Sequence, residues 1–346
     1  MSHRIKSIHT ENSTITMASH ANAPSWPSYQ GTSHLVGTSP SSRVTIYVDP
    51  SLGQHALQNA QDLLKDADRV VNANDGLFGT TGGPVSVILF ALGGATDGTG
   101  GADHNGCDYT TGNAIELDVS YGNSARVSAL FEAELSECSM NGNLCGESTG
   151  EALSRWCAAV IGNNALADFA TAPQWVADGM PDFVNRTDNS DQGADSTGCG
   201  MAFLSWMISQ GHGLEKIAPA MVNLGDSGTL ADLYATLTGD NASKAWPKFQ
   251  QAIQNLPGAV SNDDPFGGLS KPPQMANLAP RTAELVGRIF GTLVADIAAG
   301  RQPDEMMANI RAAMLPASRP HAPAVCQPKS RRLLPPKKSH RDSKSA

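Results

Sequence analysis

Two glutamates three residues apart carry the chemistry most visible in this chain. In Phe131-Glu132-Ala133-Glu134-Leu135-Ser136-Glu137, the apolar positions Val127, Leu130, Phe131 and Leu135 recur at helical spacing. On a helix, Glu134 and Glu137 then share one face. Carboxylates on an otherwise apolar helix must be solvated, ion-paired or metal-bound, because a lone buried charge is costly. Such an acid can take a proton from water as a general base, or hold a hard divalent cation. Arg126 and Arg155 are available as counter-ions. Glu151 and Arg155 stand at i and i+4, the orientation that favours a helix ion pair. In the alternative, Arg155 neutralises Glu134 or Glu137 and freezes the acids as a catalytically silent salt-bridge network.

The frame Ala133-Glu134-x-x-Glu137 has the spacing of the H-E-x-x-H zinc helix, in which histidines at i and i+4 face the metal and the glutamate polarises the bound water. Glu134 occupies the position of that general base, while Ala133 and Glu137 replace the histidines. Downstream, Trp175-x-x-Asp178-Gly179-x-x-Asp182-Phe183-Val184 resembles the W-x-x-E-G-x-A-D-Y-V segment of gluzincin-type peptidases related to the plant basic secretory proteins. Gly198–Trp206 and Leu237–Trp246 resemble that family's following helix and its L-T-G…W ending. The resemblance implies a zincin-like fold and makes Asp178 the counterpart of the third metal ligand, beside Glu137. Residues 43–256 resemble more closely a set of uncharacterised bacterial proteins sharing A-E-L-S-E, G-E-x-L-S-R and G-C-G segments, here Ala133–Glu137, Gly150–Arg155 and Gly198–Gly200.

Zinc prefers imidazole nitrogen and thiolate sulfur. A site made of Glu137 and Asp178 suits Ca²⁺, Mg²⁺ or Mn²⁺ better, and holds it weakly unless Glu134, Glu151 or loop oxygens join. His104 and His212 are nitrogen donors in principle, although nothing in their spacing brings them to the acids. No cofactor is expected unless a divalent cation occupies the carboxylates.

These residues need a scaffold. Arg43–Val48 alternates with β-branched residues and reads as a strand; Gln54–Asn74 has an amphipathic helical pattern stopped by Asn74-Asp75-Gly76. Val85–Leu92 is an apolar run typical of a buried strand, and Ala114–Tyr121 alternates as an edge strand. Between them, Gly93–Gly112 reads as a loop. Its glycines fit neither phosphate-binding fingerprint, and Asp97, Asp103, His104 and Asp108 are its potential cation donors. Helices follow, one carrying Glu134 and others near 151–161, 200–210, 214–224, 229–237 and 243–256. Strands first and helices after imply an α+β class: a zincin-like domain over 43–256, with a mixed sheet before a mainly helical half. The segments 1–42 and 317–346 read as disordered, 257–280 as a linker and 281–316 as an appended helical hairpin.

At 346 residues with 40% hydrophobic and only 16% charged content, the chain can bury a sizeable core but is rich in loops. The tail from Lys329 to Lys344 has seven Lys/Arg against Asp342, so the remaining chain is more acidic than the net charge of −9 indicates. Nucleic acid is an expected partner only for that tail, and otherwise the partner is a small molecule or peptide. No stretch has transmembrane length or the apolar core of a signal peptide, which points to a cytoplasmic protein unless the true start lies elsewhere. Six cysteines include no C-x-x-C pair. Cys138 and Cys145 are either a disulfide or small buried apolar residues. The reading that unites these features is a zincin-like domain that has lost zinc and peptidase activity and persists as a binding or structural module. The alternative is a metal-dependent hydrolase with Glu134 as general base.

Overall fold

The computed structural model describes residues 23–269 and four isolated positions, 301, 302, 305 and 309. The chain divides into two units, 1–274 and 275–346, and all that follows concerns the first. Apart from those four positions, the helical hairpin expected over 281–316 lies outside the described residues, as does the basic tail.

The fold is α+β. A five-stranded mixed sheet has the order β1-β2-β3-β5-β4, with β1 His34–Thr38, β2 Val44–Val48, β3 Val85–Phe90, β4 Ala102–His104 and β5 Ala114–Asp118. β2, β3 and β5 run parallel, and β1 and β4 flank them antiparallel. Parallel strands are covered on both faces. On one face α1 (Gly53–Phe78) and α2 (Ser124–Ser139) pack on Ile46, Val87, Ile115 and Leu117. On the other, the chain around Trp26 and Tyr29 covers Tyr47, Ile88 and Ala114. There the buried Glu116 accepts hydrogen bonds from Ser28 N–H at 2.9 Å, Tyr29 N–H at 2.7 Å and Ser28 Oγ at 2.7 Å.

α3 (Ser148–Ile161), α4 (Ala172–Ala177), α5 (Ala194–Ser209), α6 (Leu214–Leu224), α7 (Leu230–Thr238) and α8 (Ala245–Gln254) form a second core around Trp156, Trp175, Phe203, Trp206 and Phe249. α3 joins the two halves, packing on α2 and on α5. Gly200 permits the second contact: a Cβ there would stand 2.6 Å from that of Ala152.

Several elements depart from the sequence reading. The sheet starts at β1, within a segment expected to be disordered. α1 continues through Asn74-Asp75-Gly76 and stops at Gly79, whose φ of 67° is the left-handed C-cap conformation. β5 is an interior strand whose five residues are all buried. The edge beside it is β4, formed within the glycine-rich stretch expected to be a loop. Residues 257–269, read as linker, pack on the helical core through Phe266 and Leu269.

Candidate functional site

α2 presents the acids because it is buried almost all round. Asn123 caps its N-terminus, its side chain accepting from Arg126 N–H at 3.1 Å. From Arg126 to Ser139 every residue is buried except Glu134 and Glu137, and both open into one cavity of about 650 Å³. β4 brings the third group. His104 pairs with Ile115 and Ala102 with Leu117, so strand alternation puts the imidazole on the sheet face that α2 covers. His104 Nε2 lies 2.8 Å from Glu137 Oε2 and 3.7 Å from Glu134 Oε2. One donor atom from each of the three side chains falls within 4.8 Å of the others. Glu151, in the first turn of α3, and Asp103 and Asp191 line the same cavity.

The electrostatics follow from this crowding. Burial, followed by the charges of Glu137 and Glu151, pushes the Glu134 carboxyl well above the usual range. Burial and Glu137 push Glu151 up to about 7, against the pull of Arg155. Burial alone would lower the His104 imidazole, but the hydrogen bond and charge of Glu137, with the Gly106 carbonyl and Asp103, outweigh it and raise it.

The donors fit a divalent cation. Metal–ligand bonds of about 2.1 Å place neighbouring donor atoms roughly 3–3.5 Å apart, close to the separations from His104 to the two glutamates. One imidazole with two carboxylates is a mixed set suited to Zn²⁺, Mn²⁺ or Fe²⁺, a softer site than carboxylates alone provide.

The structure does not bring the remaining candidates to this centre. Asp178, at the end of α4, accepts from Gln174 Nε2 at 2.6 Å and lines a different cavity with Asp188 and Asp195. It does not belong to the cluster around Glu137. Asp182 caps its own turn through Val184 N–H at 2.9 Å and Asn185 N–H at 3.2 Å. Arg155 lines the cavity, but its ion pair at 2.8 Å is with Asp263, not Glu151, Glu134 or Glu137. It also donates to Thr171 Oγ1 at 3.2 Å and to the Phe169 carbonyl. Arg126 pairs with Asp168 at 2.6 Å. Asp97 and Asp108 are held by the threonines that follow them. Cys145 is disulfide-bonded to Cys107, Cα–Cα 5.7 Å, while Cys138 is a buried free thiol donating to the Gly112 carbonyl at 3.2 Å.

His104 is the residue that spacing could not place at the acids. Its strand is three residues long, Ala-Asp-His, with no β-branched residue to announce it. The only sequence signal was an Asp-His pair inside a glycine-rich loop.

No family model, curated protein or solved structure matches this chain. The likeness to gluzincin-type peptidases rests on the short motifs alone.

Proposed function

We propose that the protein is a metal-dependent hydrolase whose centre is His104, Glu134 and Glu137. The observation that carries this reading is the placement of the His104 imidazole 2.8 Å from Glu137 and 3.7 Å from Glu134, on the wall of an open cavity. It supplies the nitrogen donor that the helix motif lacks. A bound divalent cation would act as a Lewis acid and lower the pKa of a coordinated water. Glu151 is the group placed to receive a proton from water in the cavity. It stands outside the three-donor cluster, and a neighbouring cation favours its charged, proton-accepting form. Glu134, the expected general base, is grouped with the ligands instead. The cavity is open and lined by Asp103 and Asp191 as well as by Leu130, Leu166 and Phe169. A peptide or small-molecule substrate with both polar and apolar parts suits such walls.

A second reading, a binding or structural module without catalysis, draws support from the same hydrogen bond, since His104 and Glu137 satisfy each other without a metal. Elemental analysis of protein purified without chelator separates the two. About one equivalent of transition metal is expected, falling to background in His104→Ala and Glu137→Gln. A metal-free wild type would favour the inert module. In a hydrolase screen with peptide and ester substrates, Glu151→Gln is expected to keep the metal and lose turnover by about 10²–10⁴-fold, the range of general-base catalysis. Undiminished turnover in that variant would remove Glu151 from the role.

A further inference from the structure

His104 sits on a weak element. β4 has three residues, lies at the sheet edge and, among the described strands, pairs with β5 alone. Short edge strands fray at little cost. Besides the hydrogen bond of His104 to Glu137 and its packing on α2, two connections hold it to the helices, and both run to the segment joining α2 to α3. Cys107, three residues beyond His104, is disulfide-bonded to Cys145, and the Cys107 carbonyl accepts from Gly142 N–H at 2.7 Å. The bonded cysteines therefore tie the strand that supplies the imidazole to the segment between the helix of Glu134 and Glu137 and the helix of Glu151. Cys107 is buried and Cys145 is exposed, so the bond can be reached from solvent on one side.

We propose that the Cys107–Cys145 disulfide positions His104 against the glutamates and makes the centre redox-dependent, assembled when the cysteines are bonded and dissolved when they are reduced. The inference rests on the metal-centre reading above. The chemistry is ordinary thiol–disulfide exchange. A dithiol's thiolate attacks the Cys145 sulfur and the S–S bond breaks, releasing Cys107 as a thiolate that takes a proton. The reductant's second thiol, losing its proton, then attacks the mixed disulfide and frees Cys145, which is protonated in turn. Two electrons pass to the protein and the reductant leaves as its own disulfide. Freed from its covalent tether, β4 is held by its three-residue pairing with β5, the Cys107–Gly142 hydrogen bond and the contact of His104 with Glu137, none of them covalent. Disulfides persist in oxidising compartments, so the centre would be active there, in contrast to the cytoplasmic location expected from the sequence.

The test is the affinity for Zn²⁺ and Mn²⁺, measured by competition with a chromogenic chelator, in the oxidised wild type and in the Cys107→Ser/Cys145→Ser variant. The expected result is at least tenfold weaker binding in the variant, with far-UV circular dichroism unchanged. Affinities equal within twofold would overturn the proposal. Absence of binding in both proteins would instead remove the metal-centre reading on which it rests. Should the variant not fold, native-state hydrogen exchange of the oxidised and dithiol-reduced wild type decides. Loss of protection in 102–107 ahead of α2 and α3 is expected. Simultaneous loss in all three would make the bond a general staple and overturn its positioning role.

Discussion

Glu132 stands two positions from the centre on the same helix and faces the opposite way. It is fully buried, and among the described residues neither carboxylate oxygen has a hydrogen-bond partner. Burial raises its carboxyl well above the ordinary value, the Arg69 charge opposing only in part. A buried polar group without partners costs about 1–3 kcal/mol in proteins. Glu132→Met keeps the volume and removes the carboxyl, and is expected to stabilise the protein by about that amount at low pH, where the carboxyl is protonated in both states. The sign of the pH dependence follows from the raised pKa. Above the unfolded value of about 4.3 the unfolded chain releases this proton and the folded chain keeps it. Wild-type stability therefore falls as pH rises, by about 1.4 kcal/mol per unit until the folded pKa is reached. Urea unfolding of both proteins at pH 5 and pH 7 should show the advantage of Glu132→Met widening with pH. A constant gap would show that the carboxyl is not protonated in the folded state.

Among the elements, Arg155 joins three that the sequence leaves unconnected. It extends from α3 to Asp263 in the 257–269 segment, and Asp263 in turn accepts from Thr171 and Ala172 N–H at 2.8 and 2.7 Å, capping α4. The two charged side chains are each 15% exposed. Removing one member of a buried pair costs about 3–5 kcal/mol, and partial exposure lowers this. Arg155→Met is accordingly expected to cost about 2 kcal/mol in urea unfolding and to expose 257–269 to limited proteolysis; an unchanged cleavage pattern would mean that Phe266 and Leu269 hold the segment unaided. The same residue shows what the sequence could and could not reveal. Periodicity places Glu134, Glu137, Glu151 and Arg155 on their helices, since α2, α3 and the order of strands before helices follow from local patterns. The pairing of Arg155 spans more than a hundred residues, and a local i, i+4 rule chooses Glu151 instead. His104 was hidden for the same reason: a three-residue edge strand has no period, and its register is fixed by β5. The cysteine pairing likewise depends on the β4–β5 segment being brought to the α2–α3 turn, which no spacing within 138–145 expresses.

At the scale of the whole molecule, the centre lies where the two cores meet. His104 belongs to the sheet half, Glu134 and Glu137 to the helix that covers the sheet, and Glu151 to the first helix of the other half. Without a cation this junction concentrates negative charge, which adds to burial in raising the Glu134 carboxyl. A cation bound there would tie both halves together and stabilise the folded state by mass action, because the unfolded chain does not assemble the site. At a free metal concentration a hundredfold above Kd the gain is about 2.7 kcal/mol, roughly 5–10 °C in Tm for a domain of this size. Scanning calorimetry with Zn²⁺ or Mn²⁺ against EDTA should show that rise in the wild type and none in His104→Ala. Glu134→Gln should respond in the opposite sense on two counts. Relieved of a buried carboxyl crowded by Glu137 and Glu151, it should melt above the wild type in EDTA, and, short of a ligand, it should gain little from metal. An equal metal-induced rise in all three proteins would place the cation elsewhere on the acidic surface. A crossover, with Glu134→Gln the more stable protein without metal and the less stable with it, is what a binding site held together against its own charge requires.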